Sequence, residues 1–406
     1  MANNVYTIDH VTLEALDCFE NNLRALKHCS RKVEPLFGQK GAQKGDSIRI
    51  RKPAEFSVRT GQGWSGQDVD EQYDTLVLNY QKGIDWSMSS KERKLDFNSI
   101  ANQIIRPAMI RLANEVDKDI LEVVSKATFN AVGTPGTSPT SYNTYRDAGV
   151  KLSNFACPRG NGQRFLHINA EMEGDIIAAG EGFFNRASKI SSQYDNAEMD
   201  GEYIAGFNWS MDQNVYVHTN GTYGGTPLVN GANQSGSSLI TDGWSSGASN
   251  LTVGQRFTIA NVYAVNPVTK ATLSELQQFV VTAAVSDSSG AMTISISPSI
   301  VGPGNVHQNV NALPADNAAL TMFGTSAQTF AQGIAWNKEA VTVAIVPLDR
   351  PEGVNSAAMK YDEQSGVGVR YIEWYDGDTD LWKCRTDVVY GILLQRGEHS
   401  VAIAGA

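Results

Sequence analysis

Apolar residues recur at helical spacing near the start of the chain: Leu13, Leu16, Leu23 and Leu26, with Phe19 beside them and acids on the other side. That stripe predicts a helix over residues 9–28, stopped by Pro35 and Gly38. The period then shortens to two. Ile48 and Ile50 alternate with Arg49 and Arg51, Pro53 interrupts, and Phe56 and Val58 resume. Residues 73–88 align Leu76, Leu78 and Tyr80, and later Ile84, Trp86 and Met88. A glycine-rich tip over residues 61–71 joins the two segments. Together they predict a long two-stranded arm, too polar to be stable alone.

Helical spacing returns over residues 96–126, where Phe97, Ile100, Ile104, Ala108, Leu112, Val116, Ile120 and Val123 form one stripe. Pro107 removes a backbone donor and predicts a kink or a fresh helix start there. A helix over 145–154, a strand over 164–168 and a helix over 169–179 form an α/β patch. Residues 221–330 differ from everything around them. They hold six charged side chains, Asp242, Arg256, Lys270, Glu275, Asp287 and Asp316, among Gly, Ser, Thr, Asn and Val. Phe257 and Ile259 flank Thr258, while Met292, Ile294 and Ile296 alternate with Thr293, Ser295 and Ser297. This pattern predicts a small antiparallel barrel or sandwich inserted into a larger mixed domain. Beyond it, residues 341–346 read as a buried strand, and 369–375 with 381–394 as a hairpin across the turn 376–380. The fold class is α+β.

The 406 residues, 41% hydrophobic, suffice for two or three folding units and exclude wholesale disorder. With 33 basic and 43 acidic residues the net charge is −10, which argues against a coat for nucleic acid. No apolar run approaches the roughly 20 residues that span a bilayer, so no membrane role is expected. The first residues carry Asp9, Glu14, Asp17 and Glu20 without a basic segment, so no secretory signal is expected and the protein is expected in the cytoplasm. Cys18, Cys29, Cys157 and Cys384 are scattered and the six histidines do not cluster. Neither a zinc site nor any cofactor is expected.

Four motifs spell chemistry that their context denies. Gly61, Gly63 and Gly66 match a dinucleotide fingerprint, but acids and a strand follow where a helix is needed. Ser245 in Gly243–Gly247 matches a nucleophile elbow, with Asp287 and His307 downstream. It lies in a loop of the β insertion, where no large parallel sheet supports it. Asp376, Asp378 and Asp380 open like a calcium loop with Asp387 at its twelfth place, yet Leu381 occupies the place of the required glycine, so a solvated hairpin turn is favoured and a weak divalent-ion site is the alternative. The sequons at Asn208, Asn220, Asn233 and Asn250 carry no meaning without export. No catalytic residue is therefore assigned.

The arm's charges say more. Residues 44–60 hold Lys44, Arg49, Arg51, Lys52 and Arg59 against Asp46 and Glu55, a balance of +3, whereas Asp68, Asp70, Glu71 and Asp74 give −4. An acidic distal arm that meets a basic stretch on a neighbouring copy would fix register as well as add attraction.

This order of parts resembles a tailed-phage major capsid protein of the Hong Kong-phage capsid fold, in the short-tailed Salmonella phage coat-protein branch with an inserted β-domain. Three stretches carry the resemblance most clearly. They are Arg106-Pro-Ala-Met-Ile-Arg-Leu-Ala-Asn-Glu-Val-Asp117, Ile204-Ala-Gly-Phe207 with Val217-His-Thr-Asn-Gly-Thr222, and Ala335-Trp-Asn-Lys-Glu-Ala340. The resemblance implies an N-terminal helical arm (1–34), an E-loop (35–92), a P-domain spine helix (93–140) and a first A-domain part (141–222). It further implies an inserted β-barrel (223–330) and closing A- and P-domain strands (331–406), with residues 341–346 grouped with the α/β patch. Leu13, Leu16, Phe19 and Leu23 of the arm, and Arg49, Arg51, Arg59, Asp68, Asp70, Glu71 and Asp74 of the loop, become candidate subunit contacts.

The implied function is self-assembly, as hexamers and pentamers, into the icosahedral head of a double-stranded DNA phage. The head is built in the host cytoplasm with a portal protein. It encloses DNA without sequence-specific binding. The tip 61–71 has no lysine, so lysine–asparagine cross-linking is not expected there. No long coiled-coil segment precedes the arm, so a separate scaffolding protein is expected, with the arm helix as its docking surface. An encapsulin-like compartment and, remotely, a serine hydrolase using Ser245 are the alternatives.

Overall fold

The computed structural model describes residues 8–31, 47–52, 56, 61–64, 66, 72–90, 104–160, 162–180, 203–346, 348–351, 353–354, 356–362 and 367–406. The chain divides into two compact units. One comprises Met1–Ile50, Tyr73–Ile120 and Thr342–Leu393, and the other Arg51–Gln72, Leu121–Val341 and Leu394–Ala406.

In the first unit the apolar stripe near the start becomes helix α1, Ile8–Asn22, followed by a 3₁₀ turn at Leu26–His28. The helix expected over 9–28 is thus broken near Leu23. The Asp117 carboxylate explains the break, because it accepts the main-chain N–H of Arg24 at 2.6 Å and of Leu26 at 3.2 Å. Helix α2 spans Arg106–Ala127, and Pro107 sits in its first turn, where no intrahelical donor is missed. Phe97 and Ile100 lie outside the described residues. Leu112, Val116 and Ile120 of the expected stripe are buried, whereas Ala108 and Val123 are half-buried and Met109 and Ala113 share the inward face instead.

Five strands form the unit's sheet. Val341–Val346, Leu381–Leu394, Val367–Asp376 and Ser356–Asp362 lie in that order, and Tyr80–Ser89 also pairs with Leu381–Leu394. The expected hairpin across 376–380 forms, with a register that runs from Asp376 opposite Leu381 to Arg370 opposite Asp387. Val341–Val346 hydrogen-bonds within this sheet and not within the α/β sheet with which it was grouped. An all-apolar strand carries no mark of its partner, so its sequence does not choose between sheets.

The second unit contains an α/β sheet and a barrel. The sheet orders Ala131–Val132, Ser400–Ala404, Thr329–Asn337, Arg164–Ile168, Phe207–Met211 and Tyr203–Ile204, with Val217–Thr219 also on Thr329–Asn337. Every residue of Arg164–Ile168 is buried, as suits a central strand covered on both faces. Helix α3, Tyr142–Asn154, starts at Ser141, whose hydroxyl accepts the N–H of Asn143 at 3.2 Å. Helix α4 spans Ala170–Gly180. Tyr145, Leu152, Met172 and Ile176 of these helices join Leu166, Trp209 and Val401 in one core.

In the charge-poor segment six antiparallel strands form one sheet, in the order Leu320–Met322, Arg256–Val265, Thr272–Val281, Met292–Ile300, Gly236–Trp244 and Gly225–Val229, and Asn250–Leu251 pairs separately with Val285–Ser286. The two edges meet. Val229 N–H donates to the Ala318 carbonyl and Asn317 N–H to the Val229 carbonyl, both at 2.9 Å. The sheet is thus nearly closed, which shortens the edge left to pair with another chain. Phe257, Ile259, Met292, Ile294 and Ile296 fill its interior, as their alternation with Thr and Ser anticipated. At its neck Thr219 lies opposite Thr329, so the strands leaving and re-entering the α/β sheet pair with each other.

Candidate assembly surfaces

The arm helix is largely committed within its own subunit. Leu16, Phe19 and Leu23 are buried, and α1 packs on the strands Ser356–Asp362 and Val367–Asp376. Arg106 at the start of α2 contacts Glu14 at 3.0 Å. Leu13 alone among the four stripe residues presents a substantial apolar surface, at 45% exposure.

Ser47–Arg51 and Tyr73–Val77 form a two-stranded ribbon. Arg49 lies over the Tyr73 ring at 4.6 Å, and Lys52 N–H donates to the Gln72 carbonyl at 2.8 Å. Arg49 and Arg51 are exposed on the ribbon, whereas Asp74 is half-buried. Arg59, Asp68, Asp70 and Glu71 lie outside the described residues.

The strand that carries the arm into the sheet is anchored by charge. Tyr80–Ser89 pairs residue by residue with Leu381–Tyr390. Lys82 Nζ reaches Asp119 at 2.7 Å and Glu115 at 3.1 Å on α2. The Tyr390 hydroxyl donates to Asp119 and its ring stacks on Tyr80. Burial, together with the Asp119 carboxylate, pushes the Tyr390 phenol up. Lys82 draws Glu115 below the usual carboxylate range. Next along the ladder, Arg370 holds the buried Asp387 at 2.5 Å, and Arg385 pairs with Asp85 at 3.0 Å. Gly83 makes this possible, since a Cβ there would lie 2.5 Å from both Asp387 Oδ1 and the Thr386 carbonyl.

Two buried cations join the barrel to the rest of its unit. Arg256, wholly enclosed, donates to the carbonyls of Ser125 at 2.7 Å and Thr128 at 2.8 Å, and to Gln332 Oε1 at 3.0 Å. Lys151 Nζ on α3 donates to Gln278 Oε1 at 2.6 Å and the Ala131 carbonyl at 3.2 Å, with Glu275 at 3.4 Å. Burial lowers the pKa of both, Arg256 to about 10. Asn266 adds a bond to the Asn154 carbonyl at 2.6 Å. Sequence reading missed Arg256, Lys151, Lys82 and Asp117. For Arg256 a signal existed, because a cation beside Phe257 in a nearly uncharged strand needs buried acceptors.

The motifs resolve into structure. Ser245 follows the strand Gly236–Trp244 in a turn, and Asp287 spends its carboxylate on the main-chain N–H groups of Gly247, Ser249 and Gly290. These bonds hold Asp287 below the usual carboxylate range. At the 376–380 turn, Asp376 accepts from Thr379 and the Asp378 N–H and pairs with Lys383 at 2.7 Å. Asp380 accepts from Ser90 at 2.6 Å and Tyr375 at 3.0 Å. The two carboxylates thus close the hairpin. Among the described residues no His, Cys, Asp and Glu side chains group as a metal site, and no helix is long and apolar enough to cross a membrane.

A family model described as "P22 coat protein - gene protein 5" matches residues 1–405. No curated protein matches the chain in sequence. Among solved structures the chain is similar to one from Mycobacterium phage Che8, at 12% identity and TM-score 0.49, over 94% of this chain and 90% of that one. It is similar to the capsid of Ralstonia phage GP4 at 9% identity and TM-score 0.46, over 94% and 88%. Over 25% of this chain and 98% of the other it is similar to the CUS-3 coat protein I-domain, at 28% identity and TM-score 0.20.

Proposed function

The chain belongs to the P22 coat protein family, and from that membership we propose how its parts serve a phage head. It is a major capsid protein with the tailed-phage capsid fold and an inserted β-barrel, and its place is the virion. The proposal concerns the finer picture. Copies of the chain assemble as hexamers and pentamers of an icosahedral shell in the host cytoplasm. A separate scaffolding protein directs assembly, and a portal protein occupies one vertex. Double-stranded DNA fills the shell without sequence-specific contacts. The role is structural, without catalysis.

The observation that carries this reading is the family match over residues 1–405. The physics supports it. A two-stranded arm is marginal alone and gains stability by lying on a neighbour. Many modest contacts in a closed shell act together, so none needs to be tight. A net charge of −10 also suits a container through which DNA must slide. The divisions at 1–34, 35–92, 93–140, 141–222, 223–330 and 331–406 are the proposed functional parts. Arg49, Arg51 and Arg59 are proposed to meet Asp68, Asp70, Glu71 and Asp74 of adjacent copies.

Negative-stain imaging after co-expression with the neighbouring phage genes tests the function. Closed icosahedral particles are expected. A chain that remains a monomer with every helper protein present would overturn the reading.

A further inference from the structure

Where the barrel meets α3, an amine, a carboxamide and a carboxylate come together. Lys151 is 6% exposed, and its Nζ lies 2.6 Å from Gln278 Oε1 and 3.4 Å from Glu275 Oε2. The Gln278 carboxamide is held from both ends. Ala131 N–H donates to Oε1 at 2.7 Å, and Nε2 donates to the Ala131 carbonyl at 3.1 Å. Two donors thus converge on Oε1, which settles which end of the carboxamide is the oxygen.

These are the parts of an acyl transfer. The Gln278 carbonyl carbon lies one bond, about 1.2 Å, beyond Oε1, so Nζ stands within roughly 4 Å of it. A shift of less than about 1 Å brings the pair to the near-attack separation of roughly 3–3.5 Å. Burial of Lys151 favours its neutral, nucleophilic form, and Glu275 is placed to take the proton. The Ala131 N–H already points at Oε1, the atom on which negative charge gathers as the amine adds. Glu275 is 45% exposed, so ammonia has a way out. An ordinary surface contact between lysine and glutamine lacks the enclosure, the main-chain donor on the oxygen and the carboxylate beside the amine.

We propose that Lys151 and Gln278 join in an isopeptide bond that ties the barrel covalently to α3. Glu275 takes one proton from the Lys151 ammonium, and the neutral Nζ adds to Gln278 Cδ. Glu275 passes that proton to Nε2 and takes a second from Nζ as the Cδ–Nε2 bond breaks. Ammonia leaves and carries the second proton away as ammonium. A lysine ammonium and a carboxamide thus become a secondary amide and ammonium, with no oxidant, cofactor or second substrate. The event occurs once per chain and is a self-modification, not turnover. It links residues 127 positions apart, so it restricts the unfolded chain far more than the folded one.

Intact-mass spectrometry and peptide mapping of wild-type subunits, held folded at neutral pH, test this. The mass should fall short of the sequence by one ammonia, and the digest should contain a branched peptide joining residue 151 to residue 278. Chains held in denaturant should keep their full mass. Glu275→Gln replaces a half-exposed side chain, should keep the folded circular-dichroism spectrum, and should form the bond roughly 100-fold more slowly or not at all. A folded wild-type chain that keeps its full mass on prolonged incubation would overturn the proposal. So would an ammonia loss that maps elsewhere, such as a succinimide at Asn220 or Asn230, each followed by glycine. An unchanged rate in Glu275→Gln would overturn the mechanism assigned to the site. None of these readouts depends on the chain forming shells, so the proposed coat function stands or falls separately.

Discussion

Arg256, on a strand of the inserted barrel, donates to the carbonyl oxygen of Thr128 at 2.8 Å, just past the end of α2. The Ser125 carbonyl receives a second bond at 2.7 Å. A helix terminus leaves its last carbonyls without partners and carries partial negative charge, so a buried guanidinium answers both needs. Arg256→Met keeps the volume but strands these acceptors. It should lower the stability of the second unit by roughly 2–4 kcal/mol. Thermal melting checks the size. Hydrogen exchange checks the cause: protection should fall around 125–128 and persist in the barrel strands, whose closed core does not depend on this contact.

Acid should weaken the same unit through two histidines. Burial first, and Arg256 next, pull His218 down to about 4, and Tyr216, Lys126 and Asn220 also face it. His399 falls to about 4 by burial, then by Arg396 and Arg164, against Glu339 and a bond with the Phe155 main chain. Both are neutral in the folded chain and take up protons near 6.5 when unfolded. Their contribution is therefore complete above about 6.5 and is lost as pH falls toward 4, at up to about 3 kcal/mol each. Melting between pH 7 and pH 4.5 should show a steep decline, and His218→Gln should flatten it. An equal decline in that variant would exclude His218 as a source.

Part of this architecture was legible because burial imprints a period. Met292, Ile294 and Ile296 announced a one-sided strand, and Leu16, Phe19 and Leu23 a one-sided helix. What the stripe buries itself against was not legible. Leu16, Phe19 and Leu23 could equally have faced a neighbouring copy, and the structure places them inside their own subunit. Val341–Val346 shows the same limit for sheets. Asp117 and Lys82 escaped notice for another reason: their partners lie 93 and 37 residues away, and no local pattern links them.

Gly83→Ala should damage the anchorage of the arm. The added methyl would meet Asp387 Oδ1 and the Thr386 carbonyl, and backbone cannot yield as a flexible side chain does. Either the ladder between Tyr80–Ser89 and Leu381–Leu394 shifts or Asp387 leaves Arg370. A loss of roughly 1–3 kcal/mol is expected in denaturant unfolding. Asp387→Ala should restore part of that loss in the double variant, because it vacates one of the two sites of collision.

Charge reversal of Asp68, Asp70 and Glu71 to Lys tests the proposed pairing between copies. The monomer should keep its melting temperature, since the proposed pairing lies between copies and not within one. Assembly should be blocked or misdirected, because like charges would then face Arg49, Arg51 and Arg59. Light scattering and imaging give the answer. Normal shells from the reversed chain would remove charge pairing from the account.

Asp117→Ala tests whether the arm helix is held by its own subunit. The carboxylate is 2% exposed and accepts two main-chain N–H groups from the turn after α1. Its removal leaves those donors buried without this acceptor, at a cost of roughly 2–4 kcal/mol. Asp117→Asn retains one acceptor oxygen and should lose about half as much. Limited proteolysis separates local from global effects. Cleavage near residues 23–28 should rise in Asp117→Ala before the rest of the chain is attacked, because α1 also rests on the sheet through Leu16 and Phe19 and the turn is released first. Uniform sensitivity along the chain would mean that Asp117 supports the whole unit and not the arm in particular.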